Sequence, residues 1–254
     1  ANFSVNDTTS CVDTGLDFYD NSTNGPTTWA WTFEGGTPET STEQNPMGIV
    51  YATSGTFDVS LEVTNSEGSD MVTKTDFIII NVVPDAPIGE DVSVCEDLEV
   101  PALIAEGENI TWFADAELTE FIFSGDTLVT MDSLPGIYTY YATQFVDGCE
   151  SEALVINLTI YETPELSFSA MDSVCFNTEA FELTNGLPEG GMYFGTGVTE
   201  NMFDASVAGE GTHNLGFTYT NENMCTDTVY QDITVLALPE VSLDPMPGVC
   251  INTD

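Results

Sequence analysis

The stretch Thr28-Trp29-Ala30-Trp31-Thr32-Phe33-Glu34-Gly35-Gly36-Thr37-Pro38, followed by Asn45-Pro46, Tyr51 and Gly55-Thr56-Phe57-Asp58-Val59-Ser60-Leu61-Glu62-Val63, decides the fold. Side chains alternate across a β-strand with period two. Trp29, Trp31 and Phe33 therefore share one face, and so do Phe57, Val59, Leu61 and Val63. Asp58, Ser60 and Glu62 fall on the opposite, solvent-facing side. Gly35-Gly36 and Gly68 supply turns that other residues would strain. Two amphipathic runs with turn chemistry between them read as β-strands.

The order of an aromatic, Trp, Phe, a Gly-rich turn, Asn-Pro, Tyr and a Gly-aromatic strand resembles the PKD family of β-sandwich domains. The resemblance covers about a third of the chain. It implies a fold and says little of function, which lives in sites grafted on folds.

Outside this stretch no long segment shows a 3.6-residue apolar period. Short alternating runs separated by Gly, Pro, Asn and Asp argue an all-β chain. Cysteines recur in the phrases Thr9-Ser10-Cys11, Ser93-Val94-Cys95, Ser173-Val174-Cys175 and Gly248-Val249-Cys250, at intervals of roughly 75–85 residues. Pro84, Pro87, Pro164 and Pro239 mark the joints. A second phrase recurs later in each unit: Gly55-Thr56-Phe57, Gly136-Ile137-Tyr138 and Gly211-Thr212-His213. Each opens an alternating strand, then a turn, then a closing apolar strand over 77–83, 153–160 or 229–236. The expected domains are 1–83, 84–162 and 163–237, with the start of a further repeat over 238–254. Short proline-bearing joints restrict bending, so the expected arrangement is an end-to-end rod.

The strand order resembles strands F and G of an immunoglobulin-like sandwich. Trp112, in Ile110-Thr111-Trp112-Phe113, stands where such a sandwich has its strand C. Units two and three resemble the immunoglobulin-like repeats of giant surface proteins exported by the type IX secretion system, gliding-motility adhesins among them.

Charge is the outlier of the composition. The chain has 43 Asp plus Glu against one Lys, no Arg and one His, for a net charge of −42. Such a chain repels nucleic acid and anionic lipid. No run approaches the ~20 apolar residues of a membrane helix, so neither nucleic-acid binding nor membrane insertion is expected.

Six cysteines in an acidic, secreted-type chain read as a disulfide framework. Repeat logic pairs Cys95 with Cys149 and Cys175 with Cys225, each bond joining the start of a unit to its own F–G turn. Loops of about 50 residues stabilise by roughly 4 kcal/mol in the chain-entropy model. Cys250 is then expected to pair beyond Asp254, and Cys11, with no partner in Ser66-Glu67-Gly68-Ser69, is expected to be a buried free thiol, the alternatives being a bond to a preceding domain or to another molecule.

Some PKD relatives bind Ca²⁺ at the sandwich end through oxygen ligands. By position, that resemblance points to Asp20 and Asp70, with Ca²⁺ as the cofactor. Bacteria of the type IX class O-glycosylate Asp-Ser/Thr pairs, which implies Thr8, Thr127, Ser133, Ser173 and Thr228 as acceptors. His213 occupies the slot of Phe57 and Tyr138, so a packing role is expected of it. No nucleophile stands beside a base and no phosphate-binding glycine loop occurs, so no enzymatic activity is expected.

The function these observations predict is a structural segment of an extracellular bacterial stalk or adhesin. Its partners would be neighbouring repeats of the same long chain and a surface or polysaccharide ligand. The alternative is an accessory binding module of a secreted degradative enzyme, with Trp29 or Tyr193 stacking on sugar.

Overall fold

The computed structural model describes residues 1–242; Cys250 and nearly all of the expected fourth repeat lie outside the described residues. Apart from one four-residue helix, Ala205–Ala208, every regular element among the described residues is a strand. Three hydrophobic clusters form in sequence order.

In the first repeat a five-stranded sheet runs in the order Thr9–Cys11, Gly68–Asn81, Gly55–Asn65, Thr28–Phe33, Thr40–Ser41. Gly15–Leu16, Ile49–Tyr51 and Gly36–Thr37 make a second sheet, and Phe3–Val5 pairs with Phe18–Asp20. Phe3, Leu16, Phe18 and Ile49 meet Trp31, Phe33, Val59 and Leu61 in one buried cluster. Opposed sheets sharing an apolar filling make a β-sandwich. The alternation read from the sequence holds: Trp31, Phe33, Val59, Leu61 and Val63 are buried, with Trp29 and Phe57 half-buried at their edge.

The last strand of this repeat starts earlier than its apolar residues suggest. It begins at Gly68, directly after a tight turn in which Asn65 pairs with Gly68, and its register shifts between Lys74 and Ile78. Asp76 sits there at φ 49°, its N–H bonded to the Asp58 carboxylate. The polar run Thr73 to Asp76 hides the strand from a pattern search because the bulge breaks the alternation.

The second repeat has the sheet order Val92–Cys95, Leu154–Tyr161, Gly136–Thr143, Thr111–Phe113, Phe121–Ser124, with Leu103–Ile104 paired to Thr127–Leu128. Trp112 lies fully buried at its centre, and its indole N–H donates to the Gly125 carbonyl at 2.8 Å. The third repeat has the order Val174–Cys175, Thr226–Leu236, Gly211–Thr220, Met192–Phe194. Tyr193 takes the strand position held by Trp31 and Trp112 in the other repeats, each opposite the penultimate strand.

The chain divides into two compact units, Ala1–Val94 with Glu99–Ile160, and Cys95–Leu98 with the residues from Tyr161 onward. The first unit holds two of the clusters and the second holds the third.

Candidate functional site

The cysteines form the most distinctive constellation, and their pairing corrects the expectation. Cys95 does not bond Cys149, Cys175 does not bond Cys225, and Cys11 is not a free thiol. The disulfides are Cys11–Cys149 and Cys95–Cys225, with Cα atoms 5.8 and 5.7 Å apart. Among the described residues Cys175 is unpaired and exposed. Each bond thus joins the opening strand of one repeat to the last turn of the next.

Strand direction explains the correction. Cys95 ends an opening strand whose neighbour is the last strand, Leu154–Tyr161, and the Glu96 N–H donates to Tyr161 O at 2.9 Å. Cys95 therefore lies at the far end of that strand, while Cys149 lies before its start. Eight residues at ~3.3 Å each separate the two by roughly 25 Å. A disulfide tolerates Cα atoms at most ~7 Å apart. The same argument separates Cys175, beside Leu236, from Cys225, which precedes the eleven-residue strand Thr226–Leu236.

Local chemistry presents the turn cysteines. Asp147 and Gly148 both take positive φ, 50° and 86°, between the paired strands Phe145–Val146 and Cys149–Glu150. This is the Asp-Gly hairpin turn whose twist suits two antiparallel strands. In the third repeat the Asn221 side-chain oxygen accepts from the backbone N–H groups of Asn223 and Cys225, both at 3.0 Å. Cys149 and Cys225 are buried. Hydrogen bonds flank each bridge: Asn81 Nδ2 donates to Asp147 O at 2.6 Å, and Asn221 Nδ2 donates to Glu162 O at 3.1 Å.

The calcium candidates are already engaged. The Asp20 carboxylate accepts from Ser22 N–H and the Trp29 indole, both at 2.8 Å, and from Gln44 Nε2 at 3.3 Å. Burial pushes its pKa up, but those hydrogen bonds outweigh burial and hold it below the usual carboxylate value. Asp70 is held low by the hydrogen bond and charge of the Ala1 ammonium. A calcium ion takes roughly six to eight oxygens. Among the described residues no group of three or more His, Cys, Asp or Glu side chains could hold a metal. Asp20 and Asp70 belong to no such group.

Of the sugar-acceptor candidates, Thr8, Thr127, Ser133 and Ser173 are exposed and Thr228 is half-buried. His213 is half-buried, its Nε2 2.8 Å from Gly209 O. Tyr138 likewise donates its hydroxyl to Leu134 O, four residues upstream, so both rings tether the start of a strand. Trp29 and Tyr193 pack against the first and third cores, and the Tyr193 hydroxyl accepts from Gly186 N–H at 2.6 Å. Both rings are half-buried. The exposed aromatics are others, including Phe121, Phe123, Phe194 and Tyr230.

Lys74, the single lysine, donates to Phe3 O at 2.6 Å and lies over the rings of Phe3 and Phe77. Among the described residues the one ion pair is Ala1 with Asp70. No helix of the described residues is long and apolar enough to cross a membrane.

Residues 4–80 match the PKD domain family, as the aromatic stretch of the first repeat implies. No curated protein matches the chain. Among solved structures, the fibronectin(III)-like modules of Clostridium thermocellum CbhA share 8% identity over 63% of this chain and 94% of theirs, at a TM-score of 0.39. A Ca²⁺-stabilized, ice-binding adhesin from an Antarctic bacterium shares 11% identity over 94% of this chain and 74% of its own, at 0.40. An I-band fragment of titin, I67–I69, shares 12% identity over 90% and 95%, at 0.35.

Proposed function

We propose that this chain is a non-catalytic run of immunoglobulin-like repeats from a long extracellular adhesin or stalk on a bacterial surface. The observation that carries this reading is the placement of the disulfides, which bind each repeat to the next. A bond inside one sandwich serves folding; a bond from one repeat to the next serves the joint. Two formed disulfides also suit an oxidising, extracellular setting. The carboxylate surface keeps such a chain soluble and discourages bundling through like-charge repulsion. The PKD match in the first repeat is compatible with this role.

The intact mass of the native protein tests the reading. A mass many times 27.4 kDa, with further peptides of the same repeat type, is expected. A modest mass containing one unrelated catalytic-sized region would replace it with the accessory-module reading. Mass in excess of the polypeptide would report sugar on residues such as Thr8, Thr127, Ser133, Ser173 or Thr228; a mass equal to the polypeptide removes that part. A role in gliding predicts that cells lacking the protein stop moving over a surface, and unchanged motility would end it. Calcium would act as a counterion to the acidic faces and stiffen the joints. A melting temperature equal in Ca²⁺ and in chelator, at matched ionic strength, would refute this.

A further inference from the structure

Cys175 occupies the same structural position as two cysteines that are already bridged. Cys11, Cys95 and Cys175 each end a short opening strand that lies beside the last strand of its repeat. The residue after each cysteine donates its N–H to the final residue of that strand: Val12 to Asn81 O at 3.1 Å, Glu96 to Tyr161 O at 2.9 Å, Phe176 to Leu236 O at 2.9 Å. Each cysteine carbonyl accepts from the residue three positions on: Thr14 at 3.2 Å, Leu98 at 3.0 Å, Thr178 at 2.9 Å. Asn81 pairs with Cys11, and Leu236 with Cys175, in parallel register. The backbone therefore presents all three sulfurs in one way, at the end where the chain leaves the repeat.

In the first two repeats this position is closed by a buried turn cysteine from the next repeat. Among the described residues, burial at the third position differs from that at the other two. The strand-ending residue is half-buried where a staple is formed, as Asn81 and Tyr161 are. Its counterpart Leu236, beside Cys175, is 48% exposed, and Cys175 is exposed with it.

We propose that Cys175 is a third stapling position, whose partner is the cysteine in the last hairpin turn of a further immunoglobulin-like repeat. This rests on the reading of the chain as a run of stapled repeats. That repeat belongs either to the same chain or to a neighbouring chain. Bond formation needs an oxidant, which a disulfide-bearing donor supplies by two thiol–disulfide exchanges. The Cys175 thiolate attacks the donor disulfide, forming a mixed disulfide and releasing one donor thiolate. The partner thiolate then attacks Cys175 Sγ, forming the protein disulfide and releasing the second donor thiolate. The two cysteine protons end on the two donor thiols, and the two electrons on the reduced donor.

The test is disulfide mapping on the native full-length protein. Free thiols are blocked with N-ethylmaleimide before unfolding, and the unreduced chain is cut by a protease specific for acidic residues. The expected result is a Cys175 peptide joined to a hairpin-turn cysteine, and roughly tenfold less blocked than after reduction. Co-expression of isotopically heavy and light chains separates the sources: mixed pairs mark a neighbouring chain and unmixed pairs the same chain. Recovery of Cys175 mainly as the blocked thiol, or joined to Cys250, would overturn the proposal. So would loss of the Cys11–Cys149 and Cys95–Cys225 pairs from the same digest. A native mass too small for a stalk would instead strike the functional reading while leaving the mapping result to stand.

Discussion

Tyr51 shows what single residues cost this fold. It is completely buried in the first core, beside Phe57 with ring centroids 4.7 Å apart, and its hydroxyl has no hydrogen-bond partner. A buried polar group without a partner costs about 1–3 kcal/mol. Tyr51→Phe should therefore leave stability unchanged or raise it by about 1 kcal/mol in denaturant unfolding at neutral pH. Burial also pushes the phenol pKa up to about 12. The unfolded chain ionises this group near 10, so between about pH 10 and 12 the folded state binds more protons and stability falls as pH rises. The contribution is complete below about pH 10 and gone above about 12. Tyr51→Phe should flatten that alkaline decline in the first repeat; an unchanged pH profile would sink the argument. Nothing in the sequence marks the hydroxyl as unpaired, because Tyr51 reads there as one aromatic among several. Its ring partner Phe57 was legible, since Phe57, Val59, Leu61 and Val63 alternate without interruption.

At the scale of elements, the third repeat replaces the tryptophan of the other two with tyrosine and fills its core by letting backbone approach a ring. A Cβ built on Gly191 would stand 2.3 Å from the Phe217 ring and 2.6 Å from Thr218 O. Gly191→Ala must displace the ring or part the paired strands Met192–Phe194 and Gly211–Thr220. The expected loss is about 1–3 kcal/mol, the range of overpacked cores. Unfolding followed by Phe217 side-chain NMR would localise the loss to the third repeat, and a neutral variant would show that the strands relax freely. The sequence made the strands legible by their alternation, but nothing in it marked Gly191 as the place where backbone meets the Phe217 ring. It hid the disulfide pattern for a definite reason. Pairing within a repeat and pairing to the next repeat both use four cysteines and leave two over. Only the direction of the opening strand relative to the last strand decides between them. That direction depends on which strand the opening segment joins, a long-range choice that local periodicity does not encode.

The whole molecule carries a charge of −42 with a single lysine, and that lysine is spent on a carbonyl and two aromatic rings. Ion pairing contributes almost nothing to holding it together. Its cohesion comes from separate apolar cores and from the two bridges, so the broad class was readable from composition and repeats while the reinforcement was not. The bridges also overlap, because Cys95 lies inside the loop closed by Cys11 and Cys149. Overlap changes how tension would travel. Pulled apart after reduction, Cys11 and Cys225 would separate by roughly 750 Å at ~3.5 Å per residue. With both bridges closed, the shortest covalent route crosses from Cys11 to Cys149, runs backward to Cys95 and crosses to Cys225, a reach of roughly 190 Å. Single-molecule stretching between these ends should therefore gain about fourfold in extension when a reductant is added; equal extension with and without reductant would mean that the bridges bear no load. A tether built this way keeps a fixed maximum length even when every sandwich along it has unfolded.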